Sequence, residues 1–319
     1  MSIDVVIVHY PSAQDLARCS QASAAFGERI ASITIVDNAS PEGVPADVAC
    51  QHGIEVIREP RNLGFAKAAN RGAIAGTAPL LLFLNPDVVI SPETLEELLL
   101  ALDEKNVAAA APRLILPDGR TQIGCAGWFP TLGSLTTHAF QVPDWMPGKW
   151  SKRPLFLPEP RATGTGNGSS SNGAPYRVDW VSAACLLVRR DAFESVGGFD
   201  ERFFMYAEDI DLCWRLNEAG WQVRYCPSAQ VEHGHLALTS AGASRAPKDT
   251  WLAGLDQYYR LHCPGSRRFM HAVFGAGFAL RALAYGSRLA TPRSTSDRTP
   301  SRFAFYARRS FRLAITPWA

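Results

Sequence analysis

No run of roughly twenty apolar residues, the length needed to span a bilayer, occurs in the 319 residues, so no transmembrane helix is expected. The opening MSIDVVIVHYPS reads as a strand running into a turn and lacks a basic lead-in, which argues against a secretory signal. The seven cysteines (19, 50, 125, 185, 213, 226 and 263) are odd in number, scattered and without a C-x-x-C pair. They imply no zinc site and no disulfide framework, and a reducing, cytoplasmic compartment is expected. No Walker sequence and no G-x-G-x-x-G follows a strand-like run. P-loop NTPases and dinucleotide oxidoreductases are thereby excluded.

Acids are almost missing from the C-terminal end. From Ser266 onward there are ten arginines, no lysine and one acid, Asp297, a surplus of nine positive charges. Because the whole chain carries +2, residues 1–265 carry −7. A basic tail on an acidic body points to an anionic surface for the tail to meet. A nucleic-acid binder would need stacking aromatics interleaved with lysines, which the tail does not supply.

What is present in the first hundred residues is alternation. Asp4 to Tyr10, Ser32 to Val36, Ile54 to Arg58 and Leu80 to Leu84 are apolar, strand-like runs separated by helical patterns. Ser91 followed by Pro92 opens a helix with Leu95, Leu98, Leu99 and Leu102 as its inward stripe. This order predicts an α/β fold with a mostly parallel sheet and helices on both faces. Ligands of such sheets bind beyond the carboxyl ends of the strands. Polar clusters stand at three of those ends: Asp37-Asn38, Asn62-Leu63-Gly64 and Asn85-Pro86-Asp87. Asp87, directly after a very apolar strand, is placed as a hard divalent cation requires.

The second half is less regular. Pro143 to Pro160 reads as an irregular loop and Thr163 to Gly173 as a low-complexity segment. Arg177 to Arg190 reads as one strand leading to a helix at Asp191, and His233 follows another strand-like run. Between them lies GGFDERFFMYAEDIDLCWRL, from Gly197 to Leu216. Three acids, Glu208, Asp209 and Asp211, crowd where a helix begins, with Leu212, Leu216 and Ala219 as its packing stripe. A carboxylate held there can take a proton from an incoming hydroxyl. In a helix starting near Asp209, Asp211 is turned about two hundred degrees away, so the two acids cannot serve one hydroxyl.

Five segments in order, VDNAS (36–40), RNLGFAKAANRG (61–72), LLFLNPDVVI (81–90), VDWVSAACLLVRR (178–190) and GGFDERFFMYAEDIDLC (197–213), resemble family-2 glycosyltransferases. More narrowly they are similar to the rhamnosyltransferase-like branch, whose best-known type adds rhamnose to polyprenyl-diphospho-N-acetylglucosamine. The resemblance spans Ile3 to His235. It implies a GT-A fold (Rossmann-like, mostly parallel), a nucleoside-diphosphate sugar donor, Mg²⁺ or Mn²⁺, and inversion at the anomeric carbon. By the same resemblance Asp37 recognises the pyrimidine base, and Asn38, Asn62 and Gly64 line the nucleotide. Asn85 replaces the first acid of the D-x-D motif, and Asp87 binds the metal with His233. Trp180 and Ser182 belong to the floor of the sugar pocket, Asp209 is the general base, and Glu208 flanks it. The chain departs from its relatives at His9-Tyr10-Pro11, at Ser182-Ala183-Ala184, where glycine is commoner, and at His235, displaced from an adjacent histidine pair.

The expected organisation is a GT-A domain over 1–240 and a basic helical extension over 241–319. Phe269 to Ala290 is apolar, with Arg281 and Arg288 on one helical face, and Phe303, Ala307, Phe311 and Ala314 form a second stripe. Such helices lie on an anionic membrane surface. Docking on the catalytic domain is the other reading. The expected partners are a nucleotide-sugar donor, a saccharide or lipid-linked acceptor, and the inner face of the cytoplasmic membrane. The expected donor is dTDP-rhamnose, with UDP-galactofuranose, a UDP-hexose or GDP-mannose as alternatives. A non-catalytic glycosyltransferase-like subunit is the competing class, against which Asp87 and Asp209 stand.

Overall fold

The computed structural model describes residues 1–10, 13–140, 155–157, 173–234, 250–289 and 307. The elements are β1 (Ile3–His9), α1 (Ala13–Ala24), β2 (Ile30–Asp37), α2 (Ala46–Ala49), β3 (Ile54–Arg58), α3 (Phe65–Ala75), β4 (Leu80–Leu84), β5 (Val88–Val89) and α4 (Pro92–Ala101). There follow β6 (Val107–Ile115), β7 (Ala126–Gly127), α5 (Leu132–Phe140), β8 (Tyr176–Val178), β9 (Trp180–Val181), β10 (Cys185–Arg189), α6 (Arg190–Ser195), α7 (Glu208–Glu218) and β11 (Gln222–His233). Two further helices are Thr250–His262 and Arg267–Leu289.

Every residue of β1 and β4 is buried. Their unbroken apolar runs therefore suit strands covered on both faces. β1 pairs in parallel with β2 and β4, and β2 with β3. β10 inserts antiparallel between β4 and β6, and β6 runs parallel to β11. The main sheet thus has the order β3-β2-β1-β4-β10-β6-β11-β5, with β8 beside β11, and β7 and β9 form a small second sheet. Phe83 of β4 packs on Phe193 and Phe199 with ring centroids 5.3 and 5.1 Å apart. This ties α6 and the turn after it to the centre of the sheet. At α4, the Ser91 hydroxyl accepts from the Thr94 N–H at 3.2 Å, with Pro92 in the first turn.

Three local expectations are corrected. Arg177–Arg190 is not one strand but β8, β9 and β10. Asp179 N–H donates to Gly127 O (3.1 Å) and Ser182 N–H to Cys125 O (2.8 Å), which draws the middle of the run to the small sheet before β10 rejoins the main one. α7 begins at Glu208, one residue before Asp209, with Ala207 as its cap, and Ala219, expected in the packing stripe, lies past the last turn and is exposed. Arg281 does not face outward: its guanidinium donates to His138 O at 2.7 Å and lies over the Phe278 ring.

The contacts divide the chain into two compact units, 1–129 with 156–257 and 130–155 with 258–319. The first holds both sheets. In the second, α5 packs on the Arg267–Leu289 helix where Gly277 meets Ala139. A Cβ at 277 would lie 2.6 Å from the Ala139 carbonyl oxygen, so only glycine permits that approach. Burial holds His138 down at about 4, with Arg281 adding to the shift. The expected boundary at 240/241, His235, nearly all of Pro143–Pro160 and Thr163–Gly173, and the stripe through Phe303 and Phe311 fall outside the described residues.

Candidate active site

The carboxyl ends of β2 and β3 are locked together by two asparagines. Asn38 donates through Nδ2 to Asn62 Oδ1 (3.0 Å) and Gly64 O (3.3 Å), and its Oδ1 accepts the Leu63 N–H at 2.7 Å. Asn62 Oδ1 also accepts the Gly64 N–H at 2.9 Å. Gly64 sits at φ +84° with its α-carbon against the backbone of Phe204, and Phe65 N–H donates to Phe204 O at 2.8 Å. A side chain at 64 would be both strained and blocked. The loop before α3 is thereby pinned to the segment that precedes the acids of α7. Asp37 is buried; its Oδ1 accepts from Ser40 N–H at 2.8 Å and its Oδ2 lies 3.5 Å from Arg58 Nε.

The end of β4 carries the second group. Asn85 N–H donates to Ala184 O at 2.9 Å, which fixes the Asn85-Pro86-Asp87 turn beside the start of β10. Asp87 accepts from Gly234 N–H through its own carbonyl, at 2.9 Å, next to the end of β11. As a result Asp87 Oδ1 stands 3.2 Å from His233 Nε2, with the two side chains 11% and 7% exposed. His233 Nδ1 lies 2.5 Å from Gln122 Oε1, and Asn85 Nδ2 lies 3.4 Å from Nε2. An amide oxygen can only accept, so Nδ1 is the nitrogen that donates to Gln122, and Nε2 is the one left to ligate a cation beside Asp87. Gln122 was not flagged by the sequence; it lies in a turn whose strand-to-strand signal gives no hint of a histidine 111 residues away.

This donor pair fits a divalent cation. Two cis ligands of an octahedral ion bound at about 2.1 Å stand about 3 Å apart, close to the observed 3.2 Å. Among the described residues no three His, Cys, Asp or Glu side chains form a closed cage. A carboxylate and an imidazole alone leave most of a coordination shell for diphosphate oxygens and water, which suits Mg²⁺ or Mn²⁺ rather than structural zinc.

The acids of α7 divide by environment. Asp211 is fully buried and paired with Arg215 (Nε to Oδ2, 2.8 Å), whose guanidinium also holds Val196 O and Gly198 O at 2.6 and 2.7 Å. It braces the two-glycine turn and stands away from the cleft. Asp209 faces the cleft. Its Oδ2 accepts from Ala183 N–H at 3.4 Å and its Oδ1 from Ile210 N–H at 2.9 Å. Desolvation raises its pKa to about 6 against those two hydrogen bonds. Glu208 is 6% exposed, and its Oε2 has no hydrogen-bond partner. Burial, then the neighbouring charges of Asp209 and Asp211, pushes its pKa well above the usual carboxylate range.

One cleft of about 340 Å³ collects these groups. Asn38, Asn62, Asn85, Asp87, Gln122, Trp180, Ser182, Glu208, Asp209 and His233 all line it, together with Phe156, Tyr206 and Trp251. Asp37 and Gly64 are not in its wall; each stands one step behind a residue that is. Trp180 is buried and donates through Nε1 to Trp128 O at 3.1 Å, which fixes its indole as a rigid surface. Phe156 meets it edge-on at 5.9 Å. The arrangement joins a cation-binding pair, a proton acceptor titrating near neutrality and an aromatic wall.

Comparison with known proteins shows the family and the fold. Residues 4–153 match the family described as Glycosyl transferase family 2, and residues 166–307 match Glycosyl transferase family group 2. The chain is 34% identical over 247 residues to the N-acetylglucosaminyl-diphospho-decaprenol L-rhamnosyltransferase of Mycobacterium tuberculosis, covering 72% of this chain and 75% of that one. Its fold is similar to GalNAc-T7, solved with UDP, GalNAc and Mn²⁺ (TM-score 0.51, 16% identity, 73% of this chain and 44% of that chain). It is also similar to the mannosyltransferase PcManGT of Pyrobaculum calidifontis, solved with GDP-Man and Mn²⁺ (TM-score 0.50, 15% identity, 98% and 86%). The mixed sheet with its helical extension is the GT-A fold.

Proposed function

Since the chain belongs to glycosyl transferase family 2 and is a glycosyltransferase, we propose that it transfers L-rhamnose from dTDP-rhamnose to a saccharide carried on a polyprenyl diphosphate, with inversion, in cell-surface polysaccharide synthesis. The observation that carries the reading is the single cleft in which the Asp87–His233 pair and the Asp209 carboxylate are both exposed to one substrate. The L-rhamnosyltransferase activity named for the Mycobacterium tuberculosis relative supports the choice of sugar and of a lipid-linked acceptor.

In this reading Asn38 and Asn62, which line the cleft, meet the nucleotide, and Asp37, buried behind them instead of touching the base as expected, braces the loop through Ser40 and Arg58. Asp87 and His233 would hold Mg²⁺ or Mn²⁺, which neutralises charge on a leaving diphosphate when bound. Gln122 orients His233 so that its lone pair points towards that ion. Trp180 and Ser182 form the floor under the donor sugar. The acceptor oxygen attacks the anomeric carbon as the bond from that carbon to phosphate breaks. The hydroxyl proton passes to Asp209, whose pKa near 6 leaves it ionised yet basic at neutral pH. A double displacement would need a second carboxylate as nucleophile. Glu208, buried and with a pKa pushed upward, is a poor one, which supports a single inverting step. A lipid-linked acceptor would bring the enzyme to the inner face of the cytoplasmic membrane, where the arginine-rich segment after Ser266 meets anionic lipid.

The test is a donor panel. Purified protein with Mn²⁺ or Mg²⁺ is offered dTDP-rhamnose, UDP-galactofuranose, UDP-glucose and GDP-mannose, and nucleoside diphosphate release is followed with and without a short-chain prenyl-diphospho-N-acetylglucosamine. Acceptor-stimulated release from dTDP-rhamnose alone is expected. Stimulated release from another donor only would replace the rhamnose assignment while leaving the glycosyltransferase intact.

A further inference from the structure

The Arg267–Leu289 helix turns a wholly apolar stripe to solvent. Phe269, Ala272, Ala276, Leu280 and Leu283 recur at steps of three and four and fall within about 80° of one another around the helix. All five are exposed, and Phe269, Leu280 and Leu283 are so by 53%, 53% and 69%. The other side of the helix, through Met270, Val273, Phe274 and Phe278, is already buried. The helix is therefore apolar on two faces, where a surface helix of a soluble domain is polar on its outer one. It contains no acid, and Arg267 and Arg268 open it. No helix among the described residues is long and apolar enough to cross a membrane.

We infer that this stripe is a membrane-insertion face, with the helix lying in the plane of an anionic lipid surface. Phe269, Leu280 and Leu283 would enter the boundary between headgroups and acyl chains, and Arg267 and Arg268 at the start of the helix would meet lipid phosphates. Charge selects this occupant over a second copy of the chain. The Arg267–Leu289 helix carries four arginines and no acid, so two copies packed helix against helix would bring like charges together, whereas anionic lipid neutralises them. The stripe also assigns the roles within the tail: the arginines provide attraction, and the helix provides depth. The inference rests on the lipid-linked acceptor only for why the enzyme would need such a face, and it is measured separately.

The full chain and its Leu280→Asn/Leu283→Asn variant are sedimented with vesicles of phosphatidylglycerol and phosphatidylcholine, and with phosphatidylcholine alone. Both positions are exposed, and asparagine leaves the charge unchanged. The wild type is expected to bind the anionic vesicles, and the variant at least about tenfold more weakly, with nucleotide-sugar hydrolysis in solution unchanged. Ala276→Asp, which puts one anion in the middle of the stripe, is expected to weaken binding likewise and serves if the double variant does not fold. Equal vesicle binding by wild type and variants, or no binding by the wild type, would overturn the inference. So would a wild-type dimer, seen by analytical ultracentrifugation, that the variant dissolves while vesicle binding stays the same. Failure of the donor panel with vesicle binding intact would remove the proposed substrate and leave the membrane face standing.

Discussion

Gly254 stands against the carbonyl oxygen of Tyr206, so close that a Cβ at 254 would overlap it. The relationship matters because of what Tyr206 is doing. Tyr206 and Ala207 lie at φ +69° and +66°, two successive left-handed residues with side chains, directly before Glu208 and Asp209. Each such residue costs on the order of 1 kcal/mol or more, and the surroundings must hold it. The Thr250–His262 helix does so by approaching without a side chain at 254, which sets where the Asp209 carboxylate enters the cleft.

Gly254→Ala is therefore expected to push the Tyr206–Ala207 pair and move Asp209. Stability should fall by about 1–3 kcal/mol, the usual cost of overpacking, while turnover falls further than donor affinity. Denaturant unfolding and calorimetric titration of the nucleotide measure the two effects. A variant that keeps wild-type turnover would show that the helix does not position the acid.

Asp209→Asn removes basicity while keeping shape, and its one amide oxygen can still accept from either the Ala183 or the Ile210 N–H. Turnover is expected to drop at least about a hundredfold with donor affinity preserved. In the wild type, the rate should rise with pH through about 6, the value to which burial raises Asp209, because a base works only once it is ionised. A flat profile from pH 5 to 7, or a near wild-type rate in Asp209→Asn with a dead Glu208→Gln, would move the role to Glu208.

Glu208→Gln should stabilise the protein, and more so in alkaline solution. The folded-state pKa of Glu208 is raised by burial. Its protonated form therefore supports folding fully below the unfolded pKa, and that support is lost as pH rises through the folded value. Glutamine has no proton to lose. The difference in melting temperature between variant and wild type is expected to widen from pH 5 to pH 9; a difference that narrows would mean that Glu208 is ionised in the fold.

Asp87→Ala should abolish metal-dependent binding of dTDP or UDP, because it removes the anionic member of the donor pair. Gln122→Leu should keep both ligands yet release the His233 ring, and weaken Mn²⁺-dependent nucleotide binding by about tenfold or more, as loss of an orienting partner does. Calorimetry with and without Mn²⁺ measures both, and unchanged affinity in Gln122→Leu would leave His233 oriented by other contacts.

The parts of the fold that were legible in the sequence are those written locally. The four apolar runs of the first half became β1 to β4, and Ser91-Pro92 capped its helix, because burial on both faces and a cap each need only neighbouring residues. The cluster of asparagines and acids at strand ends was legible for the same reason. Gln122 and Gly254 were not, since their importance comes from partners at His233 and Tyr206 that the fold alone brings near. The start of α7 was misplaced because alanine in a left-handed conformation, not a polar cap, opens it. The outer face of the C-terminal helix was misread too. Arg281 stands seven residues after Phe274, on the packed side of the helix, where its long chain reaches His138 O, and the leucines are left outside.

The bridge Ser182-Ala183-Ala184 has a consequence for how substrate choice could change over time. Ala183 N–H holds Asp209 at one end, and Ala184 O holds the Asn85 turn, and with it Asp87, at the other. On the proposed assignment, the gap between the incoming hydroxyl and the departing diphosphate is set by two residues of backbone, a ruler that side-chain substitution leaves intact. Residues along the cleft can then be exchanged to suit another sugar without altering the distance over which the bond is made and broken.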